Sequence, residues 1–408
     1  MTVAVRIVGS SDVMLWHLDS RTRLARQIAQ EPSLCLLPDD DAAAIPALLA
    51  HADFLFEGAT LRELAARGAQ TGALLIDPSS ARVAAIALPQ DSSALSEAQA
   101  ITLLDAAAPI DTPWPCLTPE DIPVYDGKLR RHSVPTLARL APEHADALEA
   151  QLYGASYKGI TDLVTKWWWP RPAKRGVAWC AARDITPNQV TGLGAVLMLF
   201  ALAAFALGAW LPGLLAGWFM TYLDTVDGKL ARVRVQSSPM GHALDHGMDI
   251  VHPPFWYLAW AYGLSADTAL WQTVPFEPLM IAMFAGYVGG RIAEGLFHAL
   301  GSCSLFAWRP FDAYFRLITG RRNPCLILLT VGVAIGRPDL GLLWVVAWTV
   351  LSTVILFLRL LYALAVRLRS GPLTSWLADG EQAAARYPSA YRTFAKTQAA
   401  YNGASANA

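Results

Sequence analysis

The chain has 408 residues, 54% of them apolar and 16% charged, with a net charge of −1 and a mean hydropathy of +0.34. That balance excludes an ordinary soluble protein and predicts membrane spans. The near-zero charge excludes a nucleic-acid binder driven by bulk electrostatics.

MTVAVRIVGSSD has no basic stretch leading into a long apolar core, so no signal peptide is expected. Residues 1–150 alternate short β-branched runs with helical stretches, which predicts a small soluble α/β domain with a mostly parallel sheet. VAVRIVG, SLCLLPDD, ADFLFE, GALLID and ARVAAIAL read as strands; SRTRLARQIAQ and AAAIPALLA read as helices. Cys35, Cys116, Cys180, Cys303 and Cys325 form no CxxC pair and have no zinc-spaced histidine, so reduced packing residues are expected.

From residue 151 the character changes. KGITDLVTKWWWPRPAKR sets Trp167, Trp168 and Trp169 among basic residues, and residues 151–184 read as an interfacial segment lying on the membrane. A Trp-rich domain interface is the competing reading. Six apolar stretches follow, near 189–210, 213–233, 238–263, 276–299, 323–336 and 340–366. Basic residues crowd the loops on one side, which places both termini in the cytoplasm. The predicted fold is therefore a six-span α-helical membrane bundle over 185–366, preceded by the α/β domain and followed by a cytoplasmic tail at 367–408. Trp256, Tyr257 and Trp260 are expected at the far membrane interface.

The second and third stretches carry charges that hydrocarbon makes expensive. In DTVDGKLAR, Asp224, Asp227, Gly228 and Ala231 recur at helical steps and share a face; in GHALDHGMD, Gly241, Asp245 and Asp249 do the same. A turn at Ser237-Ser238-Pro239 folds these faces together. Four converging carboxylates need compensating positive charge. Oxygen-only ligands suit Mg²⁺, Mn²⁺ or Ca²⁺ over zinc, and two such ions would also bind a diphosphate. Gly228 and Ala231 leave room for a ligand, and Arg232 is placed for phosphate oxygens. The competing reading, acids merely ion-paired inside a bundle, accounts poorly for small residues interleaved with them. His242 and His246 suit Mg²⁺ poorly and are read as supporting or packing residues.

These residues match the signature DxxDGxxARx(8)GxxxDxxxD of the CDP-alcohol phosphotransferases at every fixed position. ITPNQVT at 185–191 resembles the family's TPNxxT segment, which implies that Asn188 and Thr191 border the nucleotide. KGITD is similar to the same segment of di-myo-inositol-phosphate-phosphate synthases, and SSPMG…LDHGMD to choline/ethanolamine phosphotransferases. The resemblance implies metal ligation by Asp224, Asp227, Asp245 and Asp249, and CDP contacts from Asp224, Asp227, Gly228, Ala231, Arg232 and Gly241. It makes Asp249 the base that activates an acceptor hydroxyl, with one substrate lipidic, CMP as leaving group and a homodimer as the expected assembly. A non-catalytic cation-binding scaffold and an ion transporter are the rival classes.

Arg291, Glu294 and His298 follow at steps of three and four, so Arg291 either grips an acceptor anion or pairs with Glu294. Arg316, Arg321 and Arg322 face an anionic acceptor or lipid headgroups. Pro253-Pro254 is expected to kink the third span just beyond Asp249. In some relatives of this family an N-terminal cytidylyltransferase makes the CDP-alcohol. Here IVGSSDVMLWHLDSRTRL offers one glycine and no Pro-Lys pair, so a degenerate nucleotidyltransferase-like domain is expected; an active one would make the protein bifunctional.

Overall fold

The computed structural model describes residues 2–395 except 39–46, 90–96, 109–111, 113, 123–124, 128, 133–134, 238 and 302, and except the side chains of 58–59, 70, 97–98, 125–126, 131–132, 239–240 and 242–245. The chain divides into two units. One holds Met1–Val124, Ser133–Ala155 and Val233–Gln236; the other holds Tyr125–His132, Ser156–Arg232 and Ser237–Ala408.

The first unit is α/β. Its strands are β1 (Val3–Val8), β2 (Leu34–Leu36), β3 (Leu48–His51), β4 (Phe54–Phe56), β5 (Ala73–Asp77), β6 (Arg82–Ala87), β7 (Cys116–Leu117) and β8 (Leu137–Arg139), the last antiparallel to β4. Its helices are α1 (Ser20–Gln30), α2 (Gly58–Thr71), α3 (Glu97–Leu103) and α4 (Ala145–Ala155). The main sheet runs β2-β1-β3-β6-β5-β7. Strand β6 is antiparallel to both neighbours, while β1 pairs in parallel with β2 and β3, and β5 with β7. The sheet is thus mixed, with parallel pairs outnumbering antiparallel ones by three to two. Leu48, Leu49 and Ala50, expected in a helix, are a central strand with no exposed surface. Buried on both faces, such a strand is a continuous apolar run that periodicity alone does not separate from a helix.

The second unit is helical: α5 (Pro170–Ala181), α6 (Pro187–Ala206), α7 (Trp210–Val233), α8 (Pro239–Gly263), α9 (Ala269–Thr273), α10 (Phe276–Leu300), α11 (Pro310–Ile318), α12 (Arg322–Ala334), α13 (Pro338–Ser370), α14 (Gly380–Arg386) and α15 (Pro388–Phe394). Each of the six apolar stretches coincides with a helix. Among the described residues three of them, α6, α10 and α13, are long and apolar enough to cross a membrane. Helix α12 has only 13 residues, about 20 Å at 1.5 Å per residue.

ITPNQVT owes its local form to a capping box. Gln189 Oε1 accepts from the Thr186 N–H at 2.8 Å, the Thr186 hydroxyl accepts from the Gln189 N–H at 3.4 Å, and Pro187 occupies the first helical position. The bundle core corrects one expectation. Trp256, Tyr257 and Trp260 are 1%, 2% and 0% exposed, packed inside the bundle rather than at a membrane interface. Their indole N–H groups are satisfied there, by the Met198 carbonyl for Trp256 and the Pro338 carbonyl for Trp260, both at 3.0 Å. In the segment read as interfacial the three tryptophans are not equivalent. Trp167 and Trp168 are exposed, whereas Trp169 packs edge-on against Tyr222 at 5.6 Å. Residues 373–395, read as tail, fold back: Leu373, Leu377 and Phe394 are buried in one cluster with Ile160, Phe297 and Leu360.

Candidate active site

Helices α7 and α8 carry the two halves of the charged motif. Between them lies the Arg322 guanidinium, the first residue of α12, donating to Asp224 Oδ2 at 2.6 Å and to Asp249 Oδ1 at 2.5 Å. Arg322 is 11% exposed, Asp224 21% and Asp249 40%, so Asp249 is the member of the trio open to a ligand. Asp227 is buried and accepts from the Thr191 hydroxyl at 2.6 Å, which ties α6 to α7 at the motif. The side chains of Asp245 and His242 lie outside the described residues. Among the described residues no group of three His, Cys, Asp or Glu is gathered as a metal cluster. The carboxylates already hold a cation, the Arg322 fork, and their donors are all oxygen. That chemistry fits a hard divalent ion once Arg322 gives way.

A cavity of about 270 Å³ opens at this point, lined by Asp224, Gly228, Arg232, His246 and Asp249 of the motif helices. Its cationic wall comes from Arg130, Lys158, Arg291, Arg316, Arg321 and Arg322. Asn188, Thr191, Asp227, Ala231 and Gly241 are not among its described lining residues. Asn188 is exposed on the first turn of α6. Gly228, which lines the cavity, also borders Arg232. A Cβ there would stand 3.2 Å from Arg232 Nη2, so the bare backbone makes room for the arginine lying across it.

Arg291 and Arg321 share Glu294, with Arg291 Nη2 at 3.7 Å from Oε1 and Arg321 bonded to Oε2. The self-neutralising pair weighed from sequence is therefore present, joined by a second arginine. Arg316 differs: its Nε and Nη1 are closed to solvent and meet no acceptor, and it lies 5.5 Å from the Phe306 ring. Burial, with the charge of Arg321 beside it, pushes its pKa down to about 9.

Several residues of the site escaped the sequence reading. Asp162, from KGITD, is buried. It accepts from the N–H groups of Val164 (3.1 Å) and Thr165 (3.0 Å), the Thr165 hydroxyl (3.0 Å) and Asn323 Nδ2 (3.0 Å). Burial alone would raise its pKa, but Arg316 and these donors hold it below the usual carboxylate range. Asn323 Oδ1 in turn accepts from Arg322 Nε at 3.3 Å, so the amide links KGITD to the arginine fork. Lys229, inside the motif, donates to the Ser156 carbonyl at 3.2 Å and stands 3.5 Å over the Tyr157 ring. An acid three residues ahead of a helical turn and a polar residue following Arg321-Arg322 were the available signals; neither names its partner.

Residues 184–288 match the family model of the CDP-alcohol phosphatidyltransferases. The matched segment holds both halves of the motif, α6 to α8 and the first half of α10. Cholinephosphotransferase 1 of Xenopus laevis is 30% identical over 125 residues, which is 28% of this chain. The match spans 29% of that relative's length. Among solved structures, phosphatidylinositol phosphate synthase of Mycobacterium tuberculosis with CDP-DAG bound is 19% identical, with a TM-score of 0.34 over 47% of this chain and 94% of that one. The same enzyme in complex with manganese and citrate is 18% identical, with a TM-score of 0.33 over 46% and 88%.

Proposed function

We propose that the domain at 185–366 transfers the substituted phosphoryl group of a CDP-alcohol to an acceptor hydroxyl, releasing CMP, in the synthesis of phospholipids or related polar lipids. The observation that carries this reading is the convergence of Asp224 and Asp249 from separate helices on one cation at a 270 Å³ cavity, inside a complete eight-position family motif. The family match over 184–288 and the partial match to a cholinephosphotransferase support it.

Asp224, Asp227 and Asp249, with Asp245, would hold divalent metal, Mg²⁺ or Mn²⁺, in two ions. Bound metal supplies charge neutralisation of the diphosphate as CMP leaves. Asp249, exposed to the cavity, takes the proton of the acceptor hydroxyl as that oxygen attacks the β-phosphorus. Arg322 then moves from the carboxylates to phosphate oxygens, and Arg232, laid across Gly228, grips the diphosphate. Thr191 contributes by fixing Asp227, and Asn188 stands at the nucleotide side of α6. Arg316, Arg321 and Arg291 form the anionic-acceptor wall, supported by the unpartnered nitrogens of Arg316. All six apolar helices cross the membrane on this reading, with both termini and the site cytoplasmic and the chain a homodimer.

The test uses the full chain in detergent with CDP-choline and CDP-diacylglycerol as donors and a panel of alcohols as acceptors, reading CMP. Asp249→Asn should remove CMP release by at least about a hundredfold while the protein stays folded. Full turnover in that variant would sink the catalytic reading in favour of a cation-binding scaffold. The N-terminal unit fits a degenerate nucleotidyltransferase-like module, supported by its parallel strands and the Gly9 turn after β1 (φ 75°). Pyrophosphate release from CTP and a phospho-alcohol by the full chain would instead make the protein bifunctional.

A further inference from the structure

Helix α8 contains two consecutive prolines, Pro253 and Pro254, yet runs unbroken from Pro239 to Gly263. A proline has no backbone N–H, so the carbonyl four residues before it loses its helical partner. For Pro253 that carbonyl belongs to Asp249, and for Pro254 to Ile250. The prolines thus strip hydrogen bonds from the turn that bears the proposed base. In an apolar bundle an unpaired carbonyl is costly, and a neighbouring helix must supply the donor.

Tyr287 of α10 does so. Its hydroxyl donates to the Ile250 carbonyl at 2.8 Å and lies 3.5 Å from the Asp249 carbonyl. The residue is 5% exposed, lines the same cavity as Asp249, and carries the Arg291 guanidinium 5.3 Å from its ring centroid. One phenolic O–H therefore stands in for the missing amides on the turn that presents Asp249 to Arg322.

We propose that Tyr287 is a positioning residue for the transfer: its hydroxyl replaces the absent proline N–H on Ile250 and so fixes the turn that aims the Asp249 carboxylate into the cavity. The role given to Asp249 rests on the phosphotransfer reading; the hydrogen bond does not. Tyr287→Phe removes only the hydroxyl. Pro254→Ala returns an N–H to the Ile250 carbonyl and makes that hydroxyl redundant.

The experiment is a cycle of Tyr287→Phe, Pro254→Ala and the double variant of the full chain in detergent, read by thermal unfolding and by CMP release from CDP-diacylglycerol and CDP-choline. Tyr287→Phe should lower the unfolding midpoint by about 2–4 °C. It should also lower kcat by about tenfold or more, with donor KM held within about twofold, as misplacement of a reacting group does. In the Pro254→Ala background the same change should cost neither stability nor kcat. The proposal is overturned if Tyr287→Phe keeps wild-type kcat, or if its losses persist undiminished beside Pro254→Ala in a folded double variant. Should Pro254→Ala itself fail to fold, the kcat and KM of Tyr287→Phe alone still decide. A wild-type chain that releases no CMP from either donor sinks the phosphotransfer reading, and the melting cycle then decides this proposal by itself.

Discussion

Thr191 donates its hydroxyl to Asp227 Oδ2 at 2.6 Å, joining the helix that opens with ITPNQVT to the helix that carries DTVDGKLAR. The same hydroxyl reaches the Pro187 carbonyl at 3.1 Å, so Thr191 is held on its own helix while it holds the acid. Asp227 is 4% exposed, and a buried carboxylate depends on each donor it has. Thr191→Val keeps the shape and deletes the donor. The expected loss is about 1–2 kcal/mol of stability, together with a higher Mn²⁺ requirement for CMP release. Denaturation midpoints and a Mn²⁺ titration of turnover check it; wild-type values in both would leave the contact without function.

Removing Arg322 isolates the carboxylates it bridges. In Arg322→Ala, Asp224 and Asp249 face each other without a cation, a change that in a fully buried pair costs roughly 3–5 kcal/mol. Asp249 is 40% exposed, so solvent screens part of this, and about 2–3 kcal/mol is expected. The loss should be largest in EDTA and shrink in millimolar Mg²⁺, since a divalent ion supplies the same positive charge. Unfolding midpoints of wild type and variant, each with chelator and with Mg²⁺, test this. EDTA should also abolish CMP release in the wild type, and added Mg²⁺ or Mn²⁺ should restore it. An Arg322→Ala loss equal in both conditions would mean that metal and guanidinium do not share a site.

How far such a site could be read in advance follows from the distance along the chain. The motif acids were legible because steps of three and four residues place them on helical faces, whatever the rest of the fold does. The apolar helices were legible for the same local reason. Arg322 was recognised as a basic residue, but its partners lie 73 and 98 positions away, and no spacing rule reaches that far. Asp162 and Asn323 are 161 apart and meet only after folding. The Trp residues of α8 were misplaced because an aromatic in an apolar stretch suits a membrane interface and a bundle core alike. Strand β3 was misread because a fully buried strand has no alternation to show.

Asp162 and Asn323 offer a separable test of the arginine fork. Asp162→Asn preserves the acceptors for the Val164 and Thr165 N–H groups but removes the charge facing Arg316. Its wild-type pKa lies below the usual carboxylate value, so its stabilisation is present above that value and fades as pH falls through the folded pKa. The variant should therefore lose stability at neutral pH and show a flatter acid limb. Asn323→Leu instead takes the acceptor from Arg322 Nε and one donor from Asp162, so it should lower kcat and flatten the acid limb only in part. Melting curves from neutral pH downward, run beside turnover, separate the two; identical behaviour of both variants would refute separate roles.

Lys166 gives the opposite pH signature. It is 5% exposed, in the π turn Val164–Trp168, where its ammonium donates to the Gly159 carbonyl at 3.0 Å and sits 5.2 Å from the Phe394 ring centroid. Burial lowers its pKa to about 8 from an unfolded value near 10.5. Between these values the unfolded chain binds more protons than the folded one, so stability rises with pH across that window. Below about pH 8 the penalty of burying the charge is present in full. At 1.36 kcal/mol per unit it amounts to at most roughly 3 kcal/mol, and the carbonyl and ring contacts repay part of it. Lys166→Met keeps the length and apolar stem while removing the charge. Wild type should gain stability from pH 8 to 10.5 while Lys166→Met stays flat over that interval, apart from slopes common to both chains. Parallel curves for the two proteins would show that Lys166 keeps an ordinary pKa, and that the fold-back of the C-terminal segment onto it leaves the ammonium in contact with water.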